Sequence, residues 1–198
     1  MSDPRVSAVV PAYNEAESLP ELHRELSAAL DRLGMTWEII YVDDGSRDAT
    51  AEVARQYGVQ VHSFAANRGK GHALLAGFEL LRDFDAVVTL DADGQHPPTC
   101  LPAFVAAAEA GADLVLGTRE ITPDMPPARR FANRFSSAWC SWIAGQPILD
   151  SQCGYRLYRR EVLARTPVQA SRYEVETEMA VRAARLGFTI AHVPIPTV

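Results

Sequence analysis

The sequence predicts an α/β domain with a mostly parallel central sheet flanked by helices. Three observations lead there. Short β-branched runs alternate with segments of helical period along the chain, the pattern of a largely parallel sheet with helical crossovers. A length of 198 residues with 47% hydrophobic and 22% charged residues suits one soluble domain with a substantial core. Finally, several of the apolar runs end in acidic or basic residues, where open α/β sheets bind ligands, outside the carboxyl ends of their strands.

Val6 to Val10 reads as the first strand, and Glu15 to Leu33 as a helix with Leu19, Leu22, Leu26, Leu30 and Leu33 on one stripe. Asn14 and Glu17 form a capping-box-like pair at its start. Trp37 to Val42 is the second strand, Asp48 to Tyr57 a helix, Val59 to Phe64 the third strand and Gly71 to Arg82 a helix. Ala86 to Leu90 is the fourth strand. Pro97 and Pro98 then open a helix to about Ala110, since proline's missing N–H costs nothing in a first turn. Asp113 to Gly117 is the fifth strand. After the proline-rich loop Thr122 to Pro127, the pattern gives a helix over Ala128 to Ile143, a strand over Cys153 to Tyr158, a helix over Glu174 to Leu186 and a last strand over Thr189 to Val193. The loop separates two halves of one domain, residues 1–120 and 121–198.

The chemistry centres on Leu90-Asp91-Ala92-Asp93-Gly94-Gln95-His96. Mg²⁺ typically takes one or two carboxylates and leaves its other positions to water and phosphate, so Asp91 and Asp93 could hold a metal against a diphosphate. Aspartates are also common turn residues that bond their own backbone, and the spacing alone does not decide between the two. Adjacent acids end the second strand in Val42-Asp43-Asp44-Gly45-Ser46, where a turn capped by Ser46 or Asp48 is the plain alternative. Asn67-Arg68-Gly69-Lys70-Gly71-His72 places two glycines and two cations before a helix, a setting that could cradle phosphate at the helix N-terminus. Neither the dinucleotide fingerprint nor the P-loop fits: position 74 is leucine, and no Ser or Thr follows Lys70.

Other classes are excluded or disfavoured by composition. The net charge of −6 argues against a nucleic-acid partner. Cys100, Cys140 and Cys153 form no C-x-x-C pair, so neither a disulfide framework nor a structural zinc is indicated and a reducing compartment fits. The start Met1-Ser2-Asp3-Pro4-Arg5 lacks signal-peptide character, and no apolar stretch reaches the ~18 residues of a bilayer span. The expected location is therefore cytoplasmic, with peripheral contact at the inner membrane face left open. The five histidines show no metal-ligand spacing; His23 is expected to be solvated on its helix and His96 to lie at most at the site edge.

Taken together, V-V-P-A-Y-N-E (9–15), V-D-D-G-S (42–46), N-R-G-K-G (67–71), D-A-D-G-Q (91–95), G-T-R (117–119), D-S-Q-C-G-Y-R-L-Y-R-R (150–160) and E-V-E-T-E-M (174–179) resemble glycosyltransferase family 2. Within it they are most similar to the polyprenyl-phosphate sugar transferases of the dolichol-phosphate mannosyltransferase type. The resemblance implies a GT-A (Rossmann-like) fold with a donor half and an acceptor half. It further implies that Pro11, Tyr13 and Glu15 line the base and ribose pocket, that Asp43 and Asp44 bind the nucleoside, and that Asp91, Asp93 and Gln95 hold Mg²⁺ or Mn²⁺. Arg119 and Arg134 match positions that meet donor or acceptor phosphates.

The implied reaction is inverting displacement at the anomeric carbon of a nucleotide-diphospho-sugar, the acceptor being a polyprenyl phosphate. A lipid phosphate would already be nucleophilic at neutral pH, its second pKa being ~6, whereas a sugar hydroxyl would need a general base. The acceptor-half carboxylates are Asp150, Glu174 and Glu176, with Asp150 ranked first as a catalytic group. The helix carrying Phe131, Phe135, Trp139 and Trp142 reads as core or as a groove for a lipid acceptor. Three alternatives stand beside this: transfer to a sugar hydroxyl in cell-surface polysaccharide synthesis, a sugar-phosphate nucleotidyltransferase, and a non-catalytic nucleotide-sugar-binding protein. The second is disfavoured because Pro-Ala-Tyr-Asn-Glu, not a glycine-rich basic loop, follows the first strand. Family relatives usually continue beyond the segment matching Thr189 to Pro194, often into membrane helices, so a minimal or shortened member is expected.

Overall fold

In the computed structural model, residues 5–119, 127–168 and 174–196 are described, with side chains except at 127–134 and 174. Seven strands form one sheet: β1 (Arg5–Ala12), β2 (Thr36–Asp43), β3 (Gln60–Ser63), β4 (Ala86–Thr89), β5 (Leu114–Arg119), β6 (Arg156–Arg159) and β7 (Ile190–Ile195). Their order is β3-β2-β1-β4-β6-β5-β7. All pairings are parallel except those of β6, which runs antiparallel to β4 and to β5. The helices are α1 (Leu19–Asp31), α2 (Thr50–Arg55), α3 (Lys70–Leu80), α4 (Leu101–Glu109), α5 (Pro127–Ala144), α6 (Arg160–Arg165) and α7 (Glu174–Arg185).

Strand pleating explains the layers, because successive side chains face opposite sides of the sheet. Val6, Ala8, Val10, Ile39, Tyr41, Val88 and Val115 pack with α1 and α4 in one core. Val9, Ile40, Val42 and Val87 pack with Ala73 and Leu74 of α3 on the other face. Leu114, Leu116 and Tyr158 meet α5, α6 and α7 in a third cluster. The leucine stripe of α1 is buried as the periodicity predicts, through Leu19, Leu22, Leu26 and Leu30.

Three expectations are corrected. The first helix begins at Leu19, not Glu15, and Asn14 does not cap it. Asn14 takes a left-handed φ of 57° and accepts a hydrogen bond from the Arg47 N–H instead. Second, His23 is not simply solvated: its ring stacks on Tyr57 at 3.9 Å, and Nδ1 lies 3.1 Å from the Tyr41 hydroxyl. Third, helix α6 follows β6 directly, where the sequence pattern gave none.

The topology makes one edge of the sheet functional. β1 pairs with β2 on one side and β4 on the other, so chain order reverses there and a crevice opens beyond the carboxyl ends of these strands. Because β6 is antiparallel, its first residue Arg156 pairs with the last residue of β4, Thr89. The segment 150–155 therefore arrives at the same edge from the second part of the chain. Gly154 is tied there by a 2.9 Å bond from Thr89 Oγ1 to its carbonyl.

Candidate active site

The loop after β1 is stitched to the loop after β2. The N–H groups of Asn14, Glu15 and Ala16 donate to Ser46 Oγ (2.9 Å), Thr50 Oγ1 (2.8 Å) and Asp48 Oδ2 (3.2 Å). Pro11, Tyr13 and Glu15 are thereby held along one wall of a cleft of about 990 Å³. Glu15 is anchored further by Ser18 Oγ, which lies 2.7 Å from Glu15 Oε2 and 2.7 Å from the Ala92 carbonyl. Ser18 thus links the β1 loop to the aspartate loop after β4.

Asp43 and Asp44 are both buried. Asp43 closes its own turn by accepting from the Ser46 N–H at 3.0 Å. Asp44 accepts from the N–H groups of Arg68 (2.7 Å) and Gly69 (2.8 Å) and lines the cleft, which Asp43 does not. Two of the N–H groups that the sequence offered as a phosphate cradle, those of Arg68 and Gly69, are therefore occupied by Asp44. What that loop presents to the cleft is the Lys70 ammonium. Gly45 is required directly after the two acids: its φ is +71°, and a Cβ there would collide with the backbone of Ala66 and Asn67.

A line of alternating charges crosses the cleft floor. Lys70 Nζ sits 2.5 Å from Asp91 Oδ1 and 3.0 Å from Glu176 Oε2, and Glu176 Oε1 is 3.9 Å from Arg156 Nε. Burial by itself would pull the Lys70 pKa down, but Glu176 and Asp91 outweigh it and hold the ammonium above the ordinary lysine range. Arg156 is fully buried and donates to the carbonyls of Cys153 (2.7 Å), Ser151 (2.8 Å) and Glu176. It pins the 150–155 segment to the start of α7. Glycine at 154 lets this segment approach, since a Cβ there would lie 2.5 Å from Asp91 Oδ2 and 2.6 Å from Lys70 Nζ.

The two carboxylates of the aspartate loop are not equivalent. Asp91 is engaged by Lys70, whereas Asp93 is exposed, lines the cleft and, among the described residues, accepts only from the Gln95 N–H, at 3.0 Å. Gln95 is exposed and does not line the cleft, and the neighbouring His96 is buried, its Nδ1 without a hydrogen-bond partner among the described residues. Among the described residues no group of three or more His, Cys, Asp or Glu side chains could enclose a metal. The donor set does fit a cation that takes one or two carboxylates and draws its remaining ligands from a substrate diphosphate, as Mg²⁺ does.

The opposite wall comes from the second part of the chain. Arg119 lines the cleft at the end of β5 and is clamped by Asp150, Nε to Oδ2 at 2.7 Å and Nη2 to Oδ1 at 3.0 Å. Burial would raise the Asp150 carboxyl, but the Arg119 guanidinium holds it below the usual carboxylate range. Asp150 does not line the cleft, and both of its oxygens are engaged, Oδ1 also by the Gln152 N–H at 3.1 Å. This is the geometry of a residue that orients Arg119, not of the general base the sequence suggested. From α5, Trp139, Cys140 and Ile143 give the cleft an apolar flank. The side chains of Arg134 and Glu174 lie outside those described.

A family model for "Glycosyl transferase family 2" matches residues 7–166. The chain belongs to glycosyl transferase family 2. A curated relative, the undecaprenyl-phosphate 4-deoxy-4-formamido-L-arabinose transferase of Salmonella paratyphi A, is 38% identical over 165 residues, covering 80% of this chain and 50% of the relative. The same protein from Salmonella newport matches to the same extent. The chain spans about half the length of these curated relatives. Among solved structures, glucosyl-3-phosphoglycerate synthase of Mycobacterium tuberculosis with Mg²⁺ and UDP superposes with a TM-score of 0.79 at 26% identity, over 98% of this chain and 70% of that one. Its complex with Mn²⁺, UDP and phosphoglyceric acid gives a TM-score of 0.78 at 25% identity, over 98% and 69%. The fold is that of the GT-A glycosyltransferases.

In this family 2 chain, the cleft collects Pro11, Tyr13, Glu15, Asp44, Lys70, Asp91, Asp93 and Arg119 from five separate segments. Sequence reasoning did not assign a role in the site to Arg156, Ser151, Thr177 or Arg182, and weighed Glu176 only as a base. Glu176 and Lys70 are far apart in sequence, so only the sheet order brings them together. The one local hint was the density of charge in the 150–160 and 174–178 segments.

Proposed function

We propose that this chain is the catalytic domain of an inverting glycosyltransferase that moves a sugar from a nucleotide-diphospho-sugar to a polyprenyl phosphate, assisted by Mg²⁺ or Mn²⁺. The observation that carries the reading is the convergence, in one cleft, of a free carboxylate at Asp93, cations at Lys70 and Arg119, and the apolar flank of α5. Free anions and an apolar chain could each find a partner there. The names of the curated relatives point the same way.

In this reading Tyr13, Glu15 and Asp44 hold the nucleoside end, with Asp43 fixing the turn beneath it. Asp91 and Asp93 lie beside the diphosphate, and Asp93 supplies the open carboxylate. A divalent ion bound there would act as a Lewis acid on the leaving diphosphate. The acceptor oxygen forms a bond to the anomeric carbon as the bond from that carbon to the β-phosphate oxygen breaks, and the electron pair leaves with the nucleoside diphosphate. Arg119 faces phosphate charge, and Asp150 holds Arg119 in its orientation. With Asp150 bound to Arg119, a phosphate acceptor is favoured over a sugar hydroxyl, because a phosphate needs no base at neutral pH.

Among the described residues, no helix is long and apolar enough to cross a membrane. We place contact with the lipid acceptor at the cytoplasmic membrane surface, where the apolar flank of α5 would meet it. The test is transfer of labelled sugar from UDP-, GDP- and dTDP-sugars to a short-chain polyprenyl phosphate. Label should enter the organic phase only with Mn²⁺ or Mg²⁺ present. Transfer to a simple sugar but not to the lipid phosphate would assign the acceptor to the hydroxyl class instead.

A further inference from the structure

The aspartate loop is half closed in the free chain. Lys70 Nζ lies 2.5 Å from Asp91 Oδ1, and Oδ2 is crowded by Gly154, where a Cβ would stand 2.5 Å from it. Asp93, by contrast, is exposed to the cleft. A divalent ion ligated by Asp91 would be brought against the Lys70 ammonium and repelled by it. Lys70 keeps its charge in this setting, because Glu176 and Asp91 outweigh its burial. What remains open is the single carboxylate of Asp93, a weak site for an ion that dehydrates reluctantly.

The contact between Lys70 and Asp91 is placed where a ligand can break it. Their side chains are 19% and 27% exposed, and both line the cleft. Lys70 has a second anionic partner, Glu176 Oε2 at 3.0 Å, on a helix that Arg156 pins in place. An ammonium carries three N–H bonds, so Lys70 can leave Asp91, keep Glu176 and take a phosphate oxygen instead. A nucleoside diphosphate beside Asp93 supplies that oxygen, and its negative charge offsets the ion and the ammonium together.

We propose that Lys70 is a resident counter-cation of Asp91, which keeps the aspartate loop closed to a divalent ion until a nucleoside diphosphate draws the ammonium away. Metal and donor then bind together, and departure of the nucleoside diphosphate returns Lys70 to Asp91 and releases the ion. The inference deepens the nucleotide-sugar reading of the cleft and rests on it. Coupling between two ligands is reciprocal, so the diphosphate tightens the metal by the factor with which the metal tightens the diphosphate.

The experiment reads free Mn²⁺ by electron paramagnetic resonance in titrations of the wild-type chain, Lys70→Gln and Lys70→Arg, alone and with UDP, GDP or dTDP. Arg68→Gln is the control for net charge, since it removes an exposed cation of the same loop whose guanidinium lies over Phe64. Coupling factors are typically about 5- to 150-fold. One diphosphate should tighten Mn²⁺ at least about tenfold in the wild type. Lys70→Gln should bind Mn²⁺ alone at least about tenfold more tightly than wild type, with most of the coupling gone. Neither Lys70→Arg nor Arg68→Gln should show that gain. Equal Mn²⁺ affinity of the wild type with and without a diphosphate that binds overturns the proposal, and needs no variant to fold. A Lys70→Gln chain that binds Mn²⁺ alone no better than wild type, or an Arg68→Gln chain that shares its gain, overturns it too, while leaving the donor cleft standing. Failure of the wild type to bind any of the three diphosphates in Mn²⁺ overturns the nucleotide-sugar reading itself.

Discussion

Replacing Asp150 with asparagine separates an orienting role from a base. The substitution keeps the side-chain shape but removes the charge and one of the oxygens that grip Arg119 at 2.7 and 3.0 Å. It leaves a guanidinium whose side chain is 19% exposed beside a neutral amide, at a site where Asp150 is 13% exposed. Breaking a fully buried pair costs about 3–5 kcal/mol, and hydrogen bonds to charged groups contribute about 1.5–3 kcal/mol; with this residual exposure, about 2 kcal/mol is expected. For a chain of this size that lowers Tm by about 4–8 °C, read by circular dichroism. The pH dependence carries a sign. The folded carboxyl is held below its usual range, so its stabilisation is full above the unfolded value of about 4 and is lost as pH falls through the folded value. Asp150→Asn should therefore flatten the loss of stability below about pH 4. In turnover, an orienting role raises the acceptor KM and leaves the acid limb of the pH profile in place. A fall of kcat by about 10²–10⁴ with that limb abolished is the signature of a general base, and would refute the assignment. An unchanged Tm would refute the ion pair's contribution.

Three further substitutions probe the scaffold. Gly154→Ala would put a methyl 2.5 Å from Asp91 Oδ2 and 2.6 Å from Lys70 Nζ; sugar transfer should fall at least about tenfold through misplacement of these groups, with only a small fall in Tm. Arg156→Met removes a fully buried guanidinium and its bonds to three carbonyls, of which that of Ser151 still accepts from Thr177 Oγ1, so urea denaturation should show a loss of about 3–5 kcal/mol. Gly45→Ala combines a left-handed backbone with a collision at Ala66 and Asn67. A loss of about 2 kcal/mol or more is expected from the same titration.

What the sequence reveals and what it hides divide along physical lines. The four strands and four helices of the first 110 residues were legible because each is encoded by its own periodicity, and β1, β2 and β4 carry their acids at the ends where the sheet opens. The place of β6 was not legible. Its residues show a strand, but nothing local states that Arg156 pairs with Thr89 in antiparallel sense and splits β4 from β5. Asp44 was recognised as a site residue, yet its grip on the Arg68 and Gly69 N–H groups depends on loops 24 and 25 residues apart. Asn14 misled because a capping-box pattern is satisfied equally well by a residue that stitches two loops together. Glu176 and Arg156 were hidden for the same reason as β6: their meaning lies in partners that only the sheet order supplies.

The most direct test of the account is thermal unfolding of the wild-type chain and Asp93→Ala with UDP, GDP and dTDP, each with and without Mn²⁺. A ligand that binds only the native state stabilises by about 2.7 kcal/mol at a hundred times its Kd. The account predicts such a shift for one nucleotide, present with Mn²⁺, absent without it and lost in Asp93→Ala. A shift that persists in Asp93→Ala or ignores the metal would contradict the role given to the aspartate loop, and no shift with any nucleotide would contradict the donor cleft.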